Sequence, residues 1–307
     1  MAVTAASAQQ YPSRPVRIVV PSSAGGGGDF SARLLAPPLT ERLGQQVSVD
    51  NRPGAATLIG TDHVAKSPPD GYTLLQGVGT LATAPAMYKK VPYDAVRDLA
   101  PITQMVFVPL VLLVHPSLPV KSTKDLIALA KARPGEIAFA SSGTATQPHL
   151  SMELLLVTTG TKMLHVPYKG PVPGLLDLVA GRVSTMMTTS SSAFPHIRSG
   201  RVRVIGVTTP KRIAALPEVP TISESGVRGY ESVQWWGILA PAGTPADIIT
   251  RLNREIVAVL GLPDIRQRLE QEGMEVFTGT PQAFGAYIRT EIEKWAKVVK
   301  EAGIKPE

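Results

Sequence analysis

The chain has 307 residues, 44% hydrophobic and 18% charged, which is the balance of a folded globular protein and not of a disordered one. It has no cysteine, which excludes disulfides, thiolate metal sites and thiol nucleophiles together. The net charge is +7 and unevenly spread: residues 1–110 carry +2, residues 111–232 carry +6 and residues 233–307 carry −1, a bias that favours anionic ligands or partners and says nothing of fold.

At the N-terminus, Ala6-Ser7-Ala8 has the small-x-small form of an export cleavage site without the apolar segment that should precede it. It reads as the stub of a removed signal, or equally as a plain Ala/Ser tail. Val16–Val20 then reads as a buried strand that stops at Pro21. After it come Ser22, Ser23, Ala24 and the glycines Gly25–Gly28, and Asp29 stands where a helix N-cap belongs. Phe30, Leu34, Leu35, Leu39 and Leu43 have helical spacing, and Pro37-Pro38 inside that stretch predicts a break or kink.

Further strands are expected at Gln46–Asn51, Tyr72–Gln76, part of Ile102–Val114, Glu136–Ala140, Leu164–Tyr168, Val183–Thr188, Val202–Val207 and Val233–Ala240. Helices are expected near 58–66, 122–133, 147–159, 172–180, 245–260, 263–272 and 281–302, the last with a stripe of Phe284, Ile288, Ile292, Trp295 and Val299. The apolar run Met105–Val114 is ten residues with Pro109 inside it, whereas a membrane span takes roughly 20. Alternating strands and helices imply an α/β fold with largely parallel sheets, and the length suggests about two domains.

Two stretches can hold an anion by construction. In Pro21–Asp29 a strand, a glycine run and a helix start leave main-chain N–H groups free, with the positive end of a helix behind them. No Gly-Lys-Ser/Thr follows, and the third glycine of a dinucleotide loop is missing, so no nucleotide cofactor is expected. Ser141, Ser142, Gly143, Thr144, Ala145, Thr146 and Gln147 repeat the arrangement before Pro148, with hydroxyls in place of most glycines. Gly79 and Thr80 in Gly77–Thr83, and Thr188 and Thr189 in Thr188–Ser192, are candidates for the same crevice, with ordinary turns the competing reading. Neither anion loop contains Lys or Arg, so an acid group held there is neutralised by dipoles and released reversibly.

Catalytic and metal chemistry fare worse. No G-x-S-x-G elbow exists, the carboxylates look like caps, and no two of the five histidines stand at ligand spacing. The basic residues Arg198, Arg201, Arg203, Lys211 and Arg212 lack interleaved aromatics, which argues against nucleic acid.

With these motifs in view the chain resembles solute receptors of the tripartite tricarboxylate transporter system, the Bug family. The resemblance rests on an ordered series: Tyr11–Pro21, Gly25–Arg33, Asn51–Ala55, Pro69–Leu75, His165–Gly170, Pro195–Ile197 and Leu239–Pro245. It implies a type II periplasmic-binding-protein fold, two α/β lobes joined by two hinge strands around a central cleft. The lobes would be residues 11–105 with 241–307, and residues 106–240. It further implies a periplasmic monomer without metal or cofactor that binds a small organic carboxylate and hands it to a membrane permease. On this mapping Ser22 to Gly27 and Asp29 form one ligand loop, Ser141 to Thr146 with His149 the other, Thr188 and Thr189 the far wall, and Lys169 joins the site. An esterase acting on an organic acid, and a sensing module for a membrane kinase, are the competing functions. The chain departs from the family at Ala56-Thr57-Leu58, where Gly-Gly-Asn is usual and a polar contact is lost, and at Thr188, where an aspartate is common. Fewer carboxylates in the crevice favour a dicarboxylate with an apolar middle.

Overall fold

The computed structural model describes residues 11–306 except Ser23 and Gly26, so the proposed signal stub lies outside the described residues. Ten strands form one continuous sheet, and β4 (Leu99–Val114) belongs to both of its halves. In the first half β1 (Val16–Val20) lies between and parallel to β2 (Val47–Asn51) and β3 (Thr73–Val78), and β9 (Val233–Pro241) joins β3 to β4. In the second half β5 (Ala138–Ser141) lies parallel to β6 (Leu164–Pro167) and β7 (Thr185–Thr189), and β7 and β8 (Arg203–Val207) flank β4. The expected parallel sheet is therefore two parallel blocks. Antiparallel β4 and β9 separate them, because these are the strands that cross from one half to the other. β4 changes neighbours at one point: up to Pro109 it pairs with β9, and from Leu110 with β7 and β8.

Helices cover both faces of each half. On the first, α1 (Gly27–Leu43), α8 (Ala246–Leu260) and α9 (Pro263–Gln271) enclose one core around Ile18, Leu35, Ile102 and Ile256. On its other face lie α2 (Leu58–Ala65), α3 (Thr80–Met87) and α10 (Pro281–Glu301). The predicted stripe of α10 faces inward there, with Trp295 fully buried and its Nε1 donating to Glu291 Oε2 at 2.9 Å. On the second half, α4 (Thr123–Ala132) and α5 (Gln147–Thr159) cover one face, and α6 (Pro171–Val179) and α7 (Ser190–Arg198) the other. Ala145 and Leu150 of the second half also pack into the core of Trp235 and Phe284, which ties the halves together. Truncating a ring as buried as Trp235 to alanine costs ~3–5 kcal/mol.

Three differences from the sequence reading have physical causes. α1 does not break at Pro37-Pro38 but continues to Leu43, since the buried row of Leu34, Leu35, Leu39 and Leu43 holds both sides of the pair on the sheet while Pro37 itself is exposed. α1 also begins before Asp29, which sits inside its first turn and caps from there. α3 and α7 start at the ends of β3 and β7 with hardly a loop between, and each contains a proline, so both read as loop. The two-residue β10 (Glu275–Val276), paired with β4, is too short to carry a pattern.

Candidate functional site

Every parallel strand of the sheet ends at the same place. There the first turns or caps of α1, α2, α3, α5, α6 and α7 surround a crevice of about 320 Å³, three helices coming from each half. The lining includes Ser22, Gly27, Gly28, Thr57, Gly79 and Thr80 from the first half. Ser142, Thr146, Gln147, Pro171, Thr188, Thr189, Ser191 and Ser192 come from the second. Val20, Val78 and Pro148 add apolar wall, and Gln234 and Trp236 of β9 lie between the two sets. Among the described residues no Lys, Arg, His, Asp or Glu lines it. Each helix start leaves main-chain N–H groups without an intrahelical acceptor, and each carries the positive end of its dipole. The arrangement is an uncharged trap for negative charge.

The first loop is held from behind. The Asn51 side-chain amide donates to the Ser22 carbonyl at 3.1 Å, and the Arg52 N–H donates to the Val20 carbonyl at 2.8 Å. Asp29 Oδ2 accepts from the Gly25 N–H and Oδ1 from Arg33 Nε, both at 2.9 Å. Burial opposes the charge on Asp29, but these two donors, with Asn51, more than offset it and hold the carboxyl below the usual aspartate range. Beneath α1, Gln76 Nε2 donates to Ser31 Oγ, which donates to the Gly28 carbonyl. Glycine is required at Gly27, where a Cβ would stand 2.7 Å from the Trp236 ring.

The second loop is braced differently. Tyr168 N–H and Gly170 N–H donate to the Ser141 and Ser142 carbonyls, each at 3.1 Å. Ala145 has a left-handed φ of 65°, uncommon for a residue with a Cβ. Its carbonyl accepts from Thr83 Oγ1 of the first half at 3.2 Å. Gln147 Nε2 donates to Ser232 Oγ at 3.2 Å. Two polar atoms on this side have no partner although buried, Gln147 Oε1 and Thr188 Oγ1, and both residues line the crevice. Buried polar atoms without partners are costly, so both mark places where a ligand or water completes the structure.

Of the sequence-derived candidates, the structure brings together Ser22, Gly27, Gly79, Thr80, Ser142, Thr146, Thr188 and Thr189 around the crevice. Ala24 and Gly25 are exposed in the turn and Lys169 is exposed beside Gly170, all outside the lining. Asp29, Ser141, Gly143, Thr144, Ala145 and His149 shape the loops from behind it. Ser23 and Gly26 lie outside the described residues. Thr57 returns a hydroxyl side chain to the position where the family comparison removes a polar contact. The reading missed Gln234 and Trp236, which share one face of β9 as residues two apart; a glutamine in an otherwise apolar strand was the available signal.

Ser141 Oγ lies 2.7 Å from His165 Nε2, the spacing of a nucleophile and its base. The pair does not fit an esterase. Ser141 is fully buried, its hydroxyl is also engaged by the Gly143 carbonyl and N–H, and His165 stacks on His149 with no carboxylate behind it. Among the described residues no group of His, Cys, Asp or Glu can hold a metal ion, and no helix is long and apolar enough to cross a membrane.

A family model for the tripartite tricarboxylate transporter family receptor matches residues 31–304. Protein BugT of Bordetella pertussis is 40% identical over 301 residues, covering 97% of this chain and 92% of that protein. Among solved structures, Rpa4515 of R. palustris with adipate is 40% identical with a TM-score of 0.87 and covers 97% of this chain and 100% of the other. MatC of Rhodopseudomonas palustris with bound malate is 31% identical with a TM-score of 0.83, over 94% and 100%.

Proposed function

The chain belongs to the tripartite tricarboxylate transporter receptor family, and from that premise we propose that it binds a small organic dicarboxylate in its crevice and delivers it to a membrane permease. Members of the family are solute receptors of the periplasm and not enzymes, with the two-lobed fold of such receptors.

One observation carries the ligand class: six helix starts, three from each half, surround a crevice that no charged side chain lines among the described residues. A carboxylate at such a point is favoured by dipoles and free N–H groups. Two opposed sets accommodate two acid groups, and Val20, Val78, Trp236, Pro148 and Pro171 offer apolar surface for the chain between them. Relatives that hold adipate and malate agree with this choice. Residues 11–105 with 241–307 form one lobe and residues 106–240 the other, the latter counting the hinge strands β4 and β9 although their paired stretches lie in the first half-sheet. Ligand shifts the balance toward the closed form by binding it better than the open one, and the permease reads that form. The receptor acts as a monomer.

A thermal-shift screen tests this. At ~100 times its dissociation constant a ligand stabilises the native state by roughly 2.7 kcal/mol, a rise of several degrees at roughly 2–4 °C per kcal/mol. Adipate or malate should give it. A shift with sugars or cations and none with any carboxylate overturns the ligand class.

A further inference from the structure

α5, α6 and α7 point their N-termini into the crevice and, with α4, send their C-termini to the far edge of the second half-sheet, where the connections are basic. Lys131 lies in the last turn of α4 and Arg133 follows it, Lys162 follows α5, Arg182 follows α6, and Arg198, Arg201 and Arg203 end or follow α7. Backbone bonds hold these connections to one another: Gly135 N–H to the Lys162 carbonyl at 2.9 Å, Ser184 N–H to Ala138 and His115 N–H to Ser184, both at 3.0 Å. All but the half-buried Arg203 are exposed.

Cations at helix C-termini offset the dipole, which explains their position but not the scarcity of acids around them. Residues 106–240 contain thirteen Lys and Arg, and among the described residues only Arg182 and Arg212 of these form ion pairs. In the rest of the chain ten of eighteen do. At the edge itself, Asp177 is taken up by Arg182 at 2.8 Å, which leaves Glu136.

We propose that this edge rests on an anionic phospholipid surface, so that the receptor is held at the membrane by a face separate from its crevice. Charge complementarity selects the partner. The cations run from Arg203, beside β4, to Lys162, beside β6, across about four strand spacings or ~19 Å. That is an extended row suited to many separate phosphates; Phe194, against Arg198, is buried, so among the described residues no exposed aromatic side chain is interleaved for stacking on bases. Leu164, at the start of β6 and 57% exposed, protrudes in the same row and offers an apolar contact below the headgroups. The attraction is long-ranged, falls within a Debye length and is lost in salt.

Sedimentation with vesicles tests it, comparing phosphatidylcholine alone with phosphatidylcholine containing about one-third phosphatidylglycerol. The protein should bind the anionic vesicles at ~50 mM salt and leave them at ~500 mM. Each cation is worth about five-fold in partitioning, so the triple variant K162Q/R198Q/R201Q should lose on the order of a hundred-fold. The variant R266Q/R268Q/R289Q, with equal loss of charge on the other half, should lose far less. Carboxylate-induced thermal shifts should be the same in both variants, which separates this edge from the crevice. Equal binding to both lipids, equal loss in both triple variants, or binding only to zwitterionic membranes that contain a permease protein overturns the proposal, the last in favour of a protein partner.

Discussion

His149 and His165 stack face to face behind the second ligand loop, with ring centroids 3.9 Å apart and planes 9° from parallel. Burial, and then the neighbouring His149 ring, push the His165 imidazole down to about 3. The unfolded chain therefore takes up a proton near the ordinary histidine value of 6.5 that the folded chain refuses. Stability is full above that value and falls with acidification until about pH 3. The slope is at most about 1.4 kcal/mol per pH unit, less the part that solvent screens at this half-buried ring. Urea titrations between pH 7 and pH 4 should show the slope in the native protein and a shallower one in His165→Gln. An unchanged slope removes the pair from the account.

Thr188→Val should separate stability from binding. The variant removes an unpartnered, fully buried hydroxyl and keeps the shape, so the ligand-free protein should be no less stable. Carboxylate affinity should drop by about ten-fold or more, as for a lost hydrogen bond to a charged group. Calorimetric titration with adipate gives the answer, and undiminished affinity means that the hydroxyl does not meet the ligand.

Gly27→Ala should act through Trp236. The added methyl meets that indole at 2.7 Å, and because Trp236 lines the crevice a displaced ring changes its wall. Alanine favours the helix by up to ~1 kcal/mol and partly hides the strain in the melting temperature. Binding, followed by tryptophan fluorescence, should weaken about ten- to hundred-fold, the size of an overpacking penalty. Native affinity in this variant would show that the close approach is incidental.

Asp29→Ala releases the Gly25 N–H and the Arg33 guanidinium. A loss of about 1–2 kcal/mol is expected, the worth of a helix cap, together with weaker ligand binding. Because the carboxyl titrates below its ordinary value, its contribution is present above that value and disappears as pH falls through the lowered one. The variant and the native protein should differ least at acid pH, below that lowered value.

Much of this was legible along the chain. Val16–Val20 and the α10 stripe are strong patterns, and the loops at Pro21–Asp29 and Ser141–Gln147 pointed to the crevice that helix starts from both halves surround. What was hidden depends on distance in sequence. Thr57, Gln234 and Trp236 reach the crevice only because β2 and β9 end or pass beside it in the folded sheet. Ser141, from its place in the loop, and His149, from the family mapping, were assigned to the site, yet the Ser141 hydroxyl bonds His165 and the buried His149 ring stands 3.5 Å from Glu153. α3 and α7 escaped notice because a helix that starts at a strand end, and carries Pro85 or Pro195, has neither a loop before it nor an uninterrupted period.

The change of neighbours in β4 at Pro109 limits what the molecule can do. Proline has no N–H to give to a ladder, and the pairing of β4 also shifts register on either side of it, near Ile102 and Met105 with β9 and at Leu112 with β8. On the proposed receptor reading, each half-sheet carries its three helix starts as one jaw about this strand, and the gap between the jaws sets the length of solute that fits.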